Sequence, residues 1–312
     1  MGKIKIAISG IGGVGGYYGG LLAANYQNSD DVDIYFISRG ENLKAIRENG
    51  IQIKRSYRKI TGIPKLATDN PEEIGQVDYL FCCTKSYDLE DNLRHLSPII
   101  GKQTVIIPLL NGANISEQIQ QILPDCRVWK GCVYIGARLI SPGLVEKFTL
   151  KDKLLFGSTT DDKEQQQELR SLLSSARILA TIPDDIDYEI WKKFFMISTA
   201  ATITSYFNVP INEVIDKHMD FFITLGYELQ SVAEAKGIAL PDDIVFSSIK
   251  SQQMMPSGST TSMHADFKRG GKTEIETLTG YVIHEAKALG LEVPTYQFMY
   301  KGLTSFPYPC NS

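Results

Sequence analysis

The first part of the chain alternates between short apolar runs and segments with helical periodicity. Residues 3–9 alternate and then become continuously apolar, which is typical of a strand buried in a parallel sheet. Three more apolar runs of strand length follow, at 32–37, 79–84 and 104–109. Segments with helical periodicity lie between or beside them, at 14–26, 42–49 and 89–96. Strands that alternate with helices predict a doubly wound α/β sheet.

Past residue 130 the pattern changes twice. Short β-rich pieces over 132–157, split by a turn at 141–143, precede a polar helix at 163–175 and an edge strand at 180–183. After that only helical periodicity remains, at 186–204, 219–236, 241–254 and 273–289. Gly237 and Gly290 stand where helix C-caps belong. We predict an α/β domain over residues 1–183 and an all-α domain over residues 184–312.

Composition narrows the class of protein. Of the 312 residues 43% are hydrophobic and 22% are charged, which suits a globular protein. The net charge of −4 argues against a nucleic-acid partner, and no apolar run reaches the ~20 residues of a membrane span. The five cysteines lack disulfide spacing, and no signal-peptide pattern is present, so we expect buried free thiols and a cytoplasmic protein. The histidines lack ligand spacing, and no metal site is predicted.

The turn after the first strand carries the strongest motif. It consists of Gly10, Ile11, Gly12, Gly13, Val14 and Gly15. Gly10 permits a tight turn, Gly12 lets the backbone approach a pyrophosphate, and Gly15 lets helix and strand pack closely. Because a strand precedes the motif and a helix follows it, we predict a Rossmann-type dinucleotide site. The alternative is a glycine-rich turn without a ligand.

The end of the second strand distinguishes NAD from NADP. An NAD site places Asp or Glu there to bind the ribose 2′-hydroxyl, whereas this chain has Ser38 and Arg39. A guanidinium can bind a 2′-phosphate through paired hydrogen bonds. We therefore predict NADP(H), against the alternative that Arg39 is an ordinary surface arginine.

Two polar residues lie just past strand ends. Lys85 follows the run at 79–84, and Asn111 follows the run at 104–109. In an open α/β sheet that edge faces the ligand crevice, so both are candidate cofactor residues. Alone, Lys85 fits a solvated loop and Asn111-Gly112 an ordinary turn.

Further segments follow in a fixed order along the chain. They are Thr84-Lys85, Asn111-Gly112, Gly136-Ala137-Arg138, Glu189-Ile190-Trp191-Lys192-Lys193, Ser262-Met263-His264-Ala265-Asp266 and Lys272-Thr273-Glu274-Ile275-Glu276. With the glycine turn, this order and spacing resembles the ketopantoate reductase (2-dehydropantoate 2-reductase) family over essentially the whole chain. The resemblance implies an NADPH-dependent reductase that converts 2-dehydropantoate to pantoate in pantothenate and coenzyme A biosynthesis. It implies a small 2-keto acid substrate in a cleft between two domains.

The resemblance assigns catalysis to Lys193 and Glu274. Hydride transfer to an α-keto carbon leaves an alkoxide, which a lysine ammonium can stabilise and then protonate. Glu274 would orient Lys193 or bind a substrate hydroxyl. Without the resemblance, a solvated helix face is the favoured interpretation of Lys193, and Glu274 fits a first-turn acid favoured by the helix dipole.

Substrate and cofactor contacts come from the same resemblance. The substrate-binding positions that it implies are Asn111, Ser262 and Asp266, with Ser262 holding the substrate carboxylate. The cofactor-binding positions that it implies, beyond the glycine turn, are Lys85, Asn111, Ala137 and Glu274. Without the resemblance, Ser262 fits a helix N-cap.

The match departs from the family one and two turns after Lys193. Ile197 and Ala201 stand where the family has asparagines that bind substrate, so the expected pocket wall is more apolar. Ser198 and Thr202 offer imperfect substitutes from adjacent faces. A reductase of another 2-keto acid, or a non-catalytic NADP-binding sensor, therefore remains an alternative.

The sequence leaves the oligomeric state open. Aromatic residues of the helical half fit a core, which is the default, or one face of a homodimer; they are Phe194, Phe195, Phe221 and Phe222. The tail at 306–312 is expected to be disordered.

Overall fold

A computed structural model describes residues 2–55, 58–160 and 163–305. The predicted disorder of the tail at 306–312 lies outside the described residues. The chain forms two compact units. The α/β unit comprises Met1–Leu110 and Asn114–Ile186, and the helical unit comprises Asn111–Ala113 and Asp187–Ser312.

The described residues of the α/β unit form thirteen strands. They are β1 Ile4–Ser9, β2 Val32–Ile37, β3 Ile51–Arg55, β4 Arg58–Gly62, β5 Leu66–Thr68, β6 Tyr79–Cys82, β7 Val105–Pro108, β8 Arg127–Val128, β9 Lys130–Tyr134, β10 Ala137–Ser141, β11 Leu144–Lys147, β12 Lys153–Gly157 and β13 Ala180–Thr181. Its α-helices are α1 Gly13–Tyr26, α2 Gly40–Asn49, α3 Leu89–Leu96, α4 Ile115–Ile122 and α5 Lys163–Ser175. Short 3₁₀ helices lie at Pro71–Glu73, Ser86–Asp88 and Ser97–Ile99.

Six parallel strands form the main sheet, in the order β5-β2-β1-β6-β7-β8. The order reverses between β1 and β6, which is the point where ligands bind in doubly wound sheets. The inner strands are apolar because helices cover both faces, and every residue of β6 and β7 is buried. The predicted doubly wound sheet is confirmed.

Two smaller sheets complete this unit. One has the order β10-β11-β3-β4, and the other has the order β13-β12-β9. The β-rich pieces predicted over 132–157 form strands β9 to β12, and the predicted edge strand is β13. The hairpin β3–β4 was missed, although residues 51–54 alternate between apolar and polar.

The described part of the helical unit contains no strand, as predicted. Its helices are α6 Ile186–Phe207, α7 Ile211–Lys217, α8 Met219–Ala235, α9 Ile244–Gln253, α10 Ser262–Lys268, α11 Tyr281–Ala288 and α12 Pro294–Ser305. A π-helical turn, Glu276–Gly280, leads directly into α11. Gly237 and Gly290 follow α8 and α11 with φ of 79° and 71°, as the predicted C-caps require.

An aromatic core holds the helical unit together. Phe194, Phe195 and Phe222 are buried, so the core interpretation is correct for these three. Phe221 is 40% exposed and packs its ring against Phe207, with centroids 5.4 Å apart. No helix within the described ranges is long and apolar enough to cross a membrane.

Candidate functional site

The glycine turn has the backbone that a dinucleotide site needs. Gly10 adopts a φ of 87°, a region that favours glycine. A Cβ atom at Gly13 would lie 2.3 Å from the carbonyl oxygen of Ala137, and one at Gly15 would lie 2.3 Å from that of Gly10. At Gly12, by contrast, a Cβ atom would meet nothing within 4 Å. Side chains are therefore excluded from the underside of the turn, while the position at Gly12 stays open to a ligand.

Helix α1 begins directly at this turn. Gly12 is its N-cap and provides no side-chain hydrogen bond, and the first turn of the helix carries no acidic residue. The amide N–H groups there and the helix dipole favour an anion. These features fit the pyrophosphate of a dinucleotide, which the residues of this turn would hold through backbone N–H groups.

Arg39 lies at the end of β2 and precedes α2. Its side chain is exposed and has no hydrogen bond or ion pair within the described residues. The acid nearest in sequence within β2, Asp33, pairs with Lys3 at 3.4 Å. The guanidinium is thus available to an anionic ligand.

Two neighbouring residues follow β6. The hydroxyl of Thr84 is buried and has no hydrogen-bond partner in the described structure, so it is a donor that a ligand could satisfy. Lys85 is half-buried and its carbonyl oxygen accepts the N–H of Asp88 at 3.0 Å, which begins a 3₁₀ turn. The sequence places Thr84 in the Thr84-Lys85 segment but assigns it no role, because nothing local shows that its hydroxyl lacks a partner.

In the helical unit, Lys193 and Asn111 are joined directly. Lys193 Nζ donates a hydrogen bond to Asn111 Oδ1 at 3.0 Å, and Lys193 is only 6% exposed. The solvated-face interpretation of Lys193 is therefore wrong. Lys192 differs from it: its Nζ lies 5.5 Å from the ring centroid of Tyr188 and the residue is half-buried.

Glu274 is buried as well. It is 2% exposed and immediately precedes the helical segment that contains the π-helical turn, where its carbonyl oxygen accepts the N–H of Leu278 at 2.9 Å. An acid placed there only to complement the helix dipole would be exposed to water. Burial of a carboxylate instead favours a specific polar role.

The start of α10 contains the other two predicted substrate residues. Ser262 is exposed, and it is not the N-cap: Thr261 is, and its Oγ1 accepts the N–H of His264 at 3.3 Å. The Asp266 carboxylate is largely buried and pairs with Arg269 one turn later.

Ser198 and Thr202 do not replace the missing asparagines. Both side chains are fully buried. Ser198 Oγ donates to the carbonyl oxygen of Leu278 at 2.6 Å, and Thr202 Oγ1 lies 2.8 Å from the hydroxyl of Thr279. Their hydrogen bonds are directed into the π-helical turn, so the expected substitution is wrong.

His264 is a packing residue. Its Nε2 lies 2.8 Å from Asn208 Oδ1 and its Nδ1 lies 2.5 Å from Thr260 Oγ1. Because the amide oxygen can only accept, Nε2 donates to it, while the Thr260 hydroxyl can either donate to Nδ1 or accept from it. Burial, aided by nearby Lys268, lowers the pKa of His264. Within the described ranges, no group of three His, Cys, Asp or Glu side chains could hold a metal ion.

Models of known families match both units. The ketopantoate reductase PanE/ApbA model matches residues 6–161, and its C-terminal counterpart matches residues 185–305. A 2-dehydropantoate 2-reductase structure from Porphyromonas gingivalis W83 is 41% identical, with a TM-score of 0.86 over 97% of this chain and 99% of that one. The chain belongs to the ketopantoate reductase family.

Two further proteins similar to this ketopantoate reductase family member have different names. A 2-dehydropantoate 2-reductase from Pyrococcus abyssi is 29% identical over 93% of this chain and 94% of its own. D-mandelate dehydrogenase, solved with NADH and anilino(oxo)acetate, is 24% identical, with a TM-score of 0.86 over 99% of this chain and all of that one. At that identity the likeness shows the fold alone.

Within this family member, the predicted residues divide by their surroundings. Lys193, Asn111, Glu274 and Asp266 lie in the helical unit and are buried or half-buried, whereas Ser262 is exposed there. Ile197 is half-buried and Ala201 is buried, so the positions one and two turns after Lys193 carry apolar side chains. Ser198 and Thr202, which hold the π-helical turn, gave no readable signal of that role in the sequence.

Proposed function

We propose that this protein reduces 2-dehydropantoate to pantoate with NADPH, in pantothenate and coenzyme A biosynthesis. The observation that carries the proposal is the buried Lys193 ammonium hydrogen-bonded to Asn111. Burial of a charged amine is costly, and such groups concentrate where charge develops during a reaction. The 41% identity with the Porphyromonas gingivalis reductase supports the same activity.

NADPH, when bound, supplies a hydride to the carbonyl carbon of a 2-keto acid. Lys193 stabilises the negative charge that grows on the carbonyl oxygen and donates the proton that completes the alcohol. Asn111 accepts one N–H of Lys193 and so fixes the direction of the ammonium. Glu274 contributes a buried carboxylate, which we assign to orienting Lys193 or to accepting a substrate hydroxyl.

Substrate contacts are proposed for two residues of α10. The exposed hydroxyl of Ser262 would donate to the substrate carboxylate. The Asp266 carboxylate pairs with Arg269. Asp266 would therefore contribute to substrate binding partly by holding the Arg269 guanidinium in position.

We propose NADP(H) rather than NAD(H) as the cofactor. Arg39 supports this choice, because its exposed guanidinium at the end of β2 has no partner within the described residues. A 2′-phosphate would supply a doubly charged partner with suitable geometry. Lys85 and Ala137 are the further cofactor contacts in this proposal, with Asn111 and Glu274.

The main competing hypothesis is that the substrate is a 2-keto acid other than ketopantoate. Ile197 and Ala201 are apolar, which favours a 2-keto acid without the hydroxyl group of ketopantoate. A non-catalytic sensor of NADP is the third hypothesis, but a sensor would not require a buried ammonium and a buried carboxylate in one unit.

One assay separates the three hypotheses. The oxidation of NADPH is followed with ketopantoate, with an aliphatic 2-keto acid and with an aromatic one. If kcat/KM is highest with ketopantoate, the proposal is supported. If it is highest with another keto acid, that acid is the substrate instead. Tight NADPH binding without turnover of any of them would support the sensor.

A homodimer is also proposed. Ring contacts join Phe221, Phe207, Tyr206 and Phe298, and the two outer rings are exposed on the helical unit. Light scattering should give about twice the chain mass of 34.7 kDa, and Phe221→Ser should lower that value.

The free thiols of Cys82 and Cys132 support the expected cytoplasmic location.

A further inference from the structure

The side-chain amide of Asn42 connects three separate segments of the α/β unit. Asn42 Nδ2 donates to the carbonyl oxygen of Ile11 at 2.8 Å and to the hydroxyl oxygen of Ser38 at 3.1 Å. Asn42 Oδ1 accepts the backbone N–H of Gly143 at 2.8 Å. One half-buried amide thus uses both of its donor hydrogens and its acceptor on the chain itself.

All three segments border the dinucleotide site proposed above. Ile11 belongs to the glycine turn, and Ser38 immediately precedes Arg39. Gly143 lies in the turn between β10 and β11, and β10 begins at Ala137, whose carbonyl oxygen closely faces Gly13. A displacement of Asn42 would therefore loosen the glycine turn and the segment that carries Arg39 together.

The direction of the Ser38 hydrogen bond has a chemical consequence. Because Asn42 Nδ2 donates to Ser38 Oγ, the hydrogen of that hydroxyl must point elsewhere. It is then available to donate to an acceptor such as a phosphate oxygen. An aspartate at position 42 would reverse this arrangement, since a carboxylate would accept the Ser38 hydrogen and would leave only lone pairs for the phosphate.

We propose that Asn42 is a positioning residue for the dinucleotide, which holds the glycine turn and directs the Ser38 hydroxyl toward the 2′-phosphate. The proposal rests on the proposed use of NADPH. Asn42 would act without touching the reacting atoms, and its loss would change cofactor affinity and selectivity more than the chemical step.

The test measures the dissociation constants of NADPH and NADH by fluorescence titration. The variants are Asn42→Asp, Asn42→Ala and Ser38→Ala, with Asn49→Ala as the control because Asn49 is exposed on the same helix. Asn42→Asp should raise the Kd of NADPH about tenfold or more, since a hydrogen bond to a charged group is replaced by repulsion. The Kd of NADH should rise only about threefold through the glycine turn.

A double-mutant comparison separates positioning from general damage. In the Ser38→Ala background, Asn42→Asp should have less effect on the ratio of the two dissociation constants. If Asn42→Asp changes the ratio of the two dissociation constants equally in the wild-type and Ser38→Ala backgrounds, the assignment is overturned. It is also overturned if Asn42→Asp lowers the melting temperature but leaves the Kd values of NADPH and NADH unchanged. If the wild-type protein binds NADPH and NADH equally, the proposed NADPH selectivity is refuted. The role of Asn42 is then tested by Asn42→Ala, which should weaken the binding of both dinucleotides.

Discussion

The hydroxyl of Ser198 donates a 2.6 Å hydrogen bond to the carbonyl oxygen of Leu278, across 80 residues of sequence. Ser198 lies on the helix that carries Lys193, and Leu278 lies in the π-helical turn that follows Glu274. The phenol oxygen of Tyr296 lies 2.9 Å from the same hydroxyl. Because π-helical turns disrupt the regular hydrogen-bond ladder, they depend on such outside partners and are frequent at functional sites. This contact therefore ties the segments of the two proposed catalytic residues together.

Ser198→Ala should destabilise the protein and slow turnover. The change leaves the Leu278 carbonyl without its buried donor, which costs about 1–3 kcal/mol of unfolding free energy. We also expect a lower kcat with little change in the Kd of NADPH. Urea denaturation and steady-state kinetics test both effects. Ser251→Ala is the control, because among the described residues that hydroxyl bonds only to the carbonyl of Ser247 in its own helix. Equal effects of the two changes would contradict the prediction.

Lys193→Met should nearly abolish reduction without unfolding the protein. Methionine preserves an unbranched, apolar chain but removes the ammonium, and loss of a general acid and electrostatic stabiliser costs about 10²–10⁴-fold in kcat. The melting temperature should fall by no more than about 5 °C, because Asn111 loses a donor worth about 1–3 kcal/mol while the cost of burying the ammonium is removed. Lys192→Met is the matched control on the same helix. The proposed role of Lys193 fails if both variants retain comparable kcat values.

Arg39→Glu should invert the cofactor preference. A carboxylate facing a 2′-phosphate repels it, so the Kd of NADPH should rise about a hundredfold, while NADH binding changes little. Lys44→Glu makes the same change of charge nearby on α2, where Lys44 pairs with Glu41 at the surface. An unchanged ratio of NADPH to NADH affinity in Arg39→Glu would remove the residue from cofactor recognition.

His264 should make stability depend on pH. Because its pKa is lowered in the folded protein, the unfolded chain binds a proton that the native state rejects as the pH falls below the ordinary value of about 6.5. The contribution of His264 is therefore fully present above that pH and is lost as the pH falls through the lowered pKa. Urea denaturation between about pH 7.5 and 5 gives the unfolding free energy at each pH. This free energy should fall less steeply with decreasing pH in His264→Gln than in the wild type. His284→Gln, an exposed histidine of the same unit, should keep the wild-type slope.

Local constraints explain what could be predicted from the sequence. The glycine turn was predictable because Gly10 needs a positive φ and Gly15 needs contact distance, both of which act within a few residues. The alternative interpretation of Ser262 as a helix N-cap is wrong by one residue, because Thr261 beside it also has a hydroxyl that can cap a helix. The fold class followed from periodicity and is confirmed.

Long-range relationships could not be predicted in the same way. The periodicity at 273–289 predicts one regular helix, whereas the structure inserts an extra residue there in a π-helical turn. The partners of Ser198 and Asn42 lie in other segments, up to about a hundred residues away, and nothing in the local sequence encodes them. Such hydrogen bonds exist only once the chain has folded.

The assignment of Asn111–Ala113 to the helical unit affects how the gene can be divided. A fragment that starts near residue 185, where the C-terminal family model begins, would encode every helix from α6 onward yet would lack the amide that accepts the Lys193 hydrogen bond. Joining one half of this chain to the other half of a relative would likewise combine the Lys193 helix of one parent with the Asn111–Ala113 segment of the other. Chimeric reductases built at that junction should therefore be chosen so that the loop and the lysine helix come from one parent.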